Sequence, residues 1–220
     1  MAEKTFFIST TRLENFSDGV FAIVLTLLAF QFKVPKFTHD ALLTQNFNEL
    51  LKIAPYLMGF IFSFFFIAVF WVNHHHLYHA VKEVNSTLLW YNIHFLFWIT
   101  MLPFAIAMVG DHPHISLAAV SLGIVLFMAS LAAYLLLRYS YVKSKLVDET
   151  LSNDSIQSGL LKNFIAVVVT FFGILVALKW VYVSYCIYFV VLVIFLIPQK
   201  MEKRIRSTKY KKENQEKLSL

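Results

Sequence analysis

Residues 11–32 read TRLENFSDGVFAIVLTLLAFQF, and the fold turns on how this stretch behaves. Thr11 and Glu14 have the spacing of a capping box, which predicts a helix starting at Thr11 and carrying Arg12 and Asp18 on its first turns. The apolar run Phe16 to Phe32 then predicts a membrane span. An ionisable side chain at the bilayer edge is costly unless it meets a polar cavity or a partner. Asp18 therefore reads as a functional carboxylate or, with Ser17, as hydrogen-bonded glue between helices. Two stripes follow on the same helix. Gly19, Ala22, Thr26 and Ala29 form a line of small residues that lets another backbone approach closely. Ile23, Leu27 and Phe30 follow the i, i+4, i+7 pattern and face nearly one direction, which on periodicity alone is ordinary packing against helices or lipid. The Thr26 hydroxyl either faces outward or bonds back to the carbonyl of Ala22.

Working outward, the composition requires a membrane. Of 220 residues, 59% are hydrophobic and only 15% charged, with 23 Phe, and the mean hydropathy is +0.66. A soluble domain of this size has too little interior to hide so much apolar surface. Met1 to Thr11 lacks an apolar core of useful length, so the first run is expected to be a retained span and not a secretory leader. Further spans are expected at Ile53 to Val72, Thr87 to Val109 and Ile115 to Leu137. Leu160 to Ile197 would be ~57 Å long as one helix, nearly twice the hydrocarbon thickness, so it must fold back. Lys179, between Leu178 and Trp180, marks the turn. The expected fold class is an all-α integral membrane protein with six transmembrane helices and no internal repeat. Residues 1–199 are expected to form one transmembrane domain and 200–220 a basic cytoplasmic tail.

Charge sets the orientation. Of the 19 Lys and Arg, all but Lys33, Lys36, Lys52 and Lys179 fall on the side shared by the two termini, which the positive-inside rule makes cytoplasmic. The net charge of +6 follows from this topology and from attraction to anionic headgroups. No nucleic-acid partner is expected. Cys186 lies inside an apolar run and reads as a small hydrophobe.

Arg12, Phe16, Ser17, Asp18 and Gly19 spell RxxxFSDG; Trp71, Asn73, His74 and His75 spell WxNHH; Asn92, Leu96, Pro103 and Phe104 complete an NxxxL…PF pattern. Together they resemble the transmembrane protein 175 family, potassium channels of lysosomes and endosomes with shorter bacterial relatives. The resemblance implies a bacterial-type chain with one six-helix repeat. It further implies a homotetramer in the plasma membrane and a first helix that lines a central pore. At the matching positions, Ile23, Leu27 and Phe30 form successive hydrophobic constrictions, and Thr26 offers hydroxyls to a permeating ion. Family members usually carry a smaller aliphatic side chain at the third position, so Phe30 is a departure. Arg12, Phe16, Ser17, Asp18, Trp71, His74, His75 and Asn92 are implied to form the structural and gating network. A TVGYG-type carbonyl filter is absent from the sequence. Potassium is the expected permeant ion, with no cofactor, no catalytic residue and no resident metal.

Physically, a cation passes a dry apolar ring only when the ring widens enough for waters to accompany it, so closure by dewetting is expected. Selectivity then follows from partial dehydration, which costs potassium less than sodium. A proton leak through the same pore is the nearest alternative. A secondary transporter would need broken helices and a mid-membrane acidic group, and Pro103 is the one mid-span proline. The histidines invite an enzyme reading. His75 and His79 lie one turn apart on one face and could chelate a metal, but the rest of a histidine-box ligand set does not follow on that side. His74, His75, His76 and His79 read instead as interfacial groups that bond Asp18 or lipid headgroups, with pH sensing a lesser role.

Overall fold

A hydroxyl two residues upstream of the expected one opens the first helix. In the computed structural model, which describes residues 9–30, 54–143 and 153–196 with positions 43, 46, 47 and 51, helix α1 spans Thr10–Ala29. Ser9 is its cap, with Oγ accepting the Arg12 N–H at 3.4 Å. The Thr11–Glu14 capping box therefore does not form. Thr10 Oγ1 donates to the Lys82 carbonyl at 3.2 Å, and the Glu14 carboxylate turns to His75 instead of back to the cap. Gln31 and Phe32, the expected end of this span, lie outside the described residues, as do most of the Pro35–Lys52 connection and the basic tail.

Helix α2 spans Ala54–Ala80, α3 Ser86–Asp111 and α4 Ser116–Arg138, the last running on into a π turn at Tyr139–Lys143. Helix α5 spans Asn153–Ala177 and α6 Val181–Leu196. These six α-helices are all those of any length among the described residues. The turn at Leu178–Trp180 sits where Lys179 marks it. The expected end of the second span at Val72 is corrected: the helix continues through His79, because the histidines find partners on its own and neighbouring helices. Among the described residues, four helical stretches are long and apolar enough to cross a membrane: Gly59–Ala80, Ser86–Asp111, Ser116–Tyr141 and Ile156–Ala177. Helix α1 carries three charges in its first half. Helix α6, at 16 residues, is ~24 Å long and shorter than the hydrocarbon core.

Successive helices run up and down. Thr10 on Lys82, and Asn85 Nδ2 donating to Tyr139 Oη at 2.8 Å, gather the start of α1, the α2–α3 turn and the end of α4 at one end. Lys162 Nζ on the Phe195 carbonyl at 2.9 Å brings the end of α6 there too. At the other end, the Tyr185 hydroxyl donates to the Pro113 carbonyl at 3.1 Å, and His114 meets Tyr182. Polar side chains inside the apolar helices bond back to their own backbone, as Ser63 does to Gly59, Ser140 to Leu136 and Thr170 to Ala166. A hydroxyl has no water there to turn to.

Aromatic packing joins α2, α3 and α6. The Phe70 ring lies 5.9 Å from Phe95 and 5.4 Å from Phe195, centroid to centroid. Tyr188 is fully buried in a slot made by two glycines, Gly123 on α4 and Gly173 on α5, and its hydroxyl donates to the Ala119 carbonyl at 3.2 Å. A methyl at Gly123 would run into the Tyr188 hydroxyl and come within 2.8 Å of Ile174 Cγ1. Gly123→Ala is therefore expected to destabilise the bundle by about 1–3 kcal/mol, the usual cost of overpacking. Thermal unfolding in detergent checks this, and an unchanged midpoint would mean that α4, α5 and α6 are not packed this way.

Candidate functional site

Burial along α1 alternates with helical period. Leu13, Ser17, Phe21, Val24 and Leu28 are buried against α2 and α3. On the opposite side, Ile23 is 60%, Leu27 46% and Phe30 83% exposed, and Gly19, Ala22, Thr26 and Ala29 are exposed with them. At 100° per residue both stripes fall in one arc of about 160°, joined at its start by Arg12 and Asn15. Among the described residues, a whole side of α1 is thus left uncovered. That side mixes large apolar groups with a glycine, a threonine, an amide and a guanidinium, which is a poor surface for lipid. Thr26 Oγ1 donates to the carbonyl of Ile23 at 2.8 Å, so the back-bond is made, but to a carbonyl one residue later than Ala22. Its proton is spent on the backbone, so the oxygen lone pairs are what it can offer outward.

The buried side of α1 is tied down by a directed chain of hydrogen bonds. Ser17 Oγ donates to the Leu13 carbonyl at 2.8 Å and accepts from Asn92 Nδ2 at 3.0 Å. With its amide nitrogen so engaged, Asn92 uses Oδ1 to accept from His74 Nε2 at 2.7 Å. All three side chains are buried. The His74 ring is stacked on Phe95, with centroids 5.6 Å apart and 12° between planes, and Tyr78 packs on it at 4.6 Å. One turn on, Trp71 Nε1 donates to Asp18 Oδ1 at 2.8 Å. The Trp71 ring stacks on His75 at 5.6 Å, and His75 Nδ1 lies 3.2 Å from Glu14 Oε1.

The structure therefore brings together Ser17, Asp18, Trp71, His74, His75 and Asn92. It does not bring in two residues expected with them. Phe16 is 57% exposed at the edge of the open face. Arg12 is exposed, and among the described residues its guanidinium ties α1 to neither α2 nor α3. The reading of the histidine run as partners of Asp18 or lipid headgroups is corrected for His74, whose Nε2 turns inward to Asn92 while Trp71 donates to the Asp18 carboxylate. The Thr11–Glu14 spacing reads as a cap, which hides Glu14 as a tie to His75. Its signal was present: Glu14 and Asp18 stand one turn apart on α1, as do Trp71 and His75 on α2.

Residues 12–103, which hold every member of this network, match the family model described as endosomal/lysosomal potassium channel TMEM175. A potassium channel of Chryseobacterium sp. (strain P1-3) is 34% identical over 199 residues, 89% of this chain and 97% of that protein. The endosomal/lysosomal proton channel TMEM175 of Danio rerio is 30% identical over 151 residues, 68% of this chain but 27% of that longer protein. The crystal structure of a lysosomal potassium-selective channel TMEM175 homolog from Chamaesiphon minutus superposes with a TM-score of 0.72 at 26% identity, covering 84% of this chain and 95% of that one. With the FSDG helix docked through Ser17 and Asp18 onto Asn92 and Trp71, and with a bacterial relative matched over nearly its whole length, this multi-pass membrane chain belongs to the TMEM175 family.

Proposed function

We propose that this chain is the subunit of a potassium-selective channel in which copies of α1 surround a central pore, four subunits about one axis. The observation that carries the reading is the uncovered side of α1, where Ile23, Leu27 and Phe30 project with Thr26 among them while the opposite side is buried. A pore built from one helix per chain closes by rotational symmetry, and that symmetry buries such a face against its copies and a water column. The bacterial relative is itself named a potassium channel. Ile23 and Leu27 act as gate and selectivity ring, with Phe30 at the far mouth. A dry ring blocks the ion until it widens, and partial dehydration in the widened ring favours potassium. The distribution of Lys and Arg supports cytoplasmic termini, residues 200–220 as a basic tail and a plasma-membrane location. Conduction of this kind needs no catalytic residue and no cofactor beyond the permeant ion.

A second reading, proton conduction through the same pore, is favoured by the name of the zebrafish relative. The reversal potential of the reconstituted protein under a potassium-to-sodium gradient, repeated with a pH gradient, separates the two. The expected result is a shift toward the potassium equilibrium potential. A shift with pH alone would replace potassium by protons as the permeant ion. Absence of current, with saturable uptake in its place, would point to a transporter.

A further inference from the structure

Three ligand atoms from two helices converge beside the network described above. Glu14 on α1 and His75 and His79 on α2 each present one donor atom, and the three atoms lie within 4.8 Å of one another. The Glu14 Oε1 to His75 Nδ1 separation is 3.2 Å, close to the ~3.3 Å edge of a tetrahedron whose metal bonds are ~2.05 Å long. The His75 and His79 rings are one helical turn apart, 4.5 Å between centroids and nearly perpendicular, as two imidazoles on one ion can be.

Three other histidines of the bundle are engaged elsewhere. His74 is committed to Asn92, His94 to Trp98 and His114 to Tyr182. His75 Nδ1, like His74 Nδ1, is shut off from solvent and makes no aligned hydrogen bond among the described residues, and a carboxylate oxygen of Glu14 stands 3.2 Å from His75 Nδ1. A nitrogen and a carboxylate oxygen facing each other in this way suit a cation between them. The His75 ring is held in place by its stack on Trp71, which Asp18 fixes through Nε1. That is the kind of outer support a ligating imidazole needs. His79 is exposed, which provides an entry path and leaves a fourth position to water.

We propose that Glu14, His75 and His79 form a binding site for a late first-row divalent cation, zinc being the best match, that staples α1 to α2 at this end of the bundle. Two imidazoles and one carboxylate select zinc and its neighbours over magnesium and calcium, which take all-oxygen sets. The third ligand comes from the helix that carries the open face, so the ion would restrain α1 against α2. The inference does not depend on which ion the pore conducts.

The test uses the full-length protein, purified in detergent and stripped with a chelator, then titrated with zinc chloride by calorimetry and followed by thermal unfolding. One zinc per chain is expected, with a rise in the unfolding midpoint because the ion binds only the folded arrangement. Glu14→Gln and His79→Ala should each weaken zinc at least ~10-fold, the least that loss of even a supporting partner costs, and should remove the rise. His79 is exposed, so its alanine variant is expected to keep the metal-free midpoint, which separates loss of a ligand from loss of the fold. His114→Ala should bind zinc as the parent does. Undiminished zinc binding in both Glu14→Gln and His79→Ala would reduce the observation to an adventitious ion on surface histidines and overturn the site. So would equal binding of magnesium, or no binding by the parent protein.

Discussion

Asn92→Leu is expected to destabilise the protein by about 2–4 kcal/mol, the largest loss of any single change in the network. An interhelical hydrogen bond in a membrane is worth only ~0.6–2 kcal/mol, because the separated helices find other partners. The dominant effect here is stranding. Asn92 is the sole acceptor seen for His74 Nε2 among the described residues, and the His74 ring is enclosed by Phe95, Tyr78 and Phe21. Removing the amide leaves a buried N–H with no acceptor, which adds ~1–3 kcal/mol. Leucine keeps the volume, so no large cavity confuses the result. Ser17→Ala is expected to cost only about 1 kcal/mol, since it removes an acceptor from an amide that keeps its other bond to His74. Thermal unfolding of the two variants side by side checks the direction of the chain. Equal losses would mean that the chain does not run from His74 through Asn92 and Ser17 to the Leu13 carbonyl.

Ile23→Asn is expected to leave the fold nearly intact and to change conduction strongly. Ile23 is 60% exposed in the single chain, so little packing inside the subunit is lost. In the proposed pore the same change replaces a ring of apolar side chains by a ring of amides that can solvate an ion at the constriction. A barrier lowered by only ~1.4 kcal/mol raises the rate tenfold. The expected outcome is a current at least ~10-fold larger, with potassium-to-sodium discrimination moving toward unity, read from the reversal potential under bi-ionic conditions. Unchanged selectivity and conductance would remove Ile23 from the constriction. The neighbouring Val24 supplies the contrast: it is 1% exposed against the other helices, so Val24→Asn buries an unsatisfied amide and is expected to lower stability instead. One residue along the helix separates a permeation phenotype from a folding one, which tests the assignment of faces directly.

The helical class, the hairpin turn at Lys179 and the two stripes of α1 were legible in the residues alone, though not that both stripes lie on its uncovered side. Each is a local property: run length against bilayer thickness, a charge between apolar runs, and a repeat near 3.6 residues. The grouping of Ser17, Asp18, Trp71, His74 and Asn92 was also legible, but only through the resemblance of three short motifs. Only the tertiary structure decided who bonds to whom. Trp71 takes Asp18 and Asn92 takes His74; Glu14 leaves the cap for His75; Gly123 and Gly173 open a slot for Tyr188. The reason is geometric. A residue advances 100° and 1.5 Å along its own helix whatever its neighbours do, so faces can be read in one dimension. A contact between helices depends in addition on their relative rotation and axial register, which are set by packing across the whole interface.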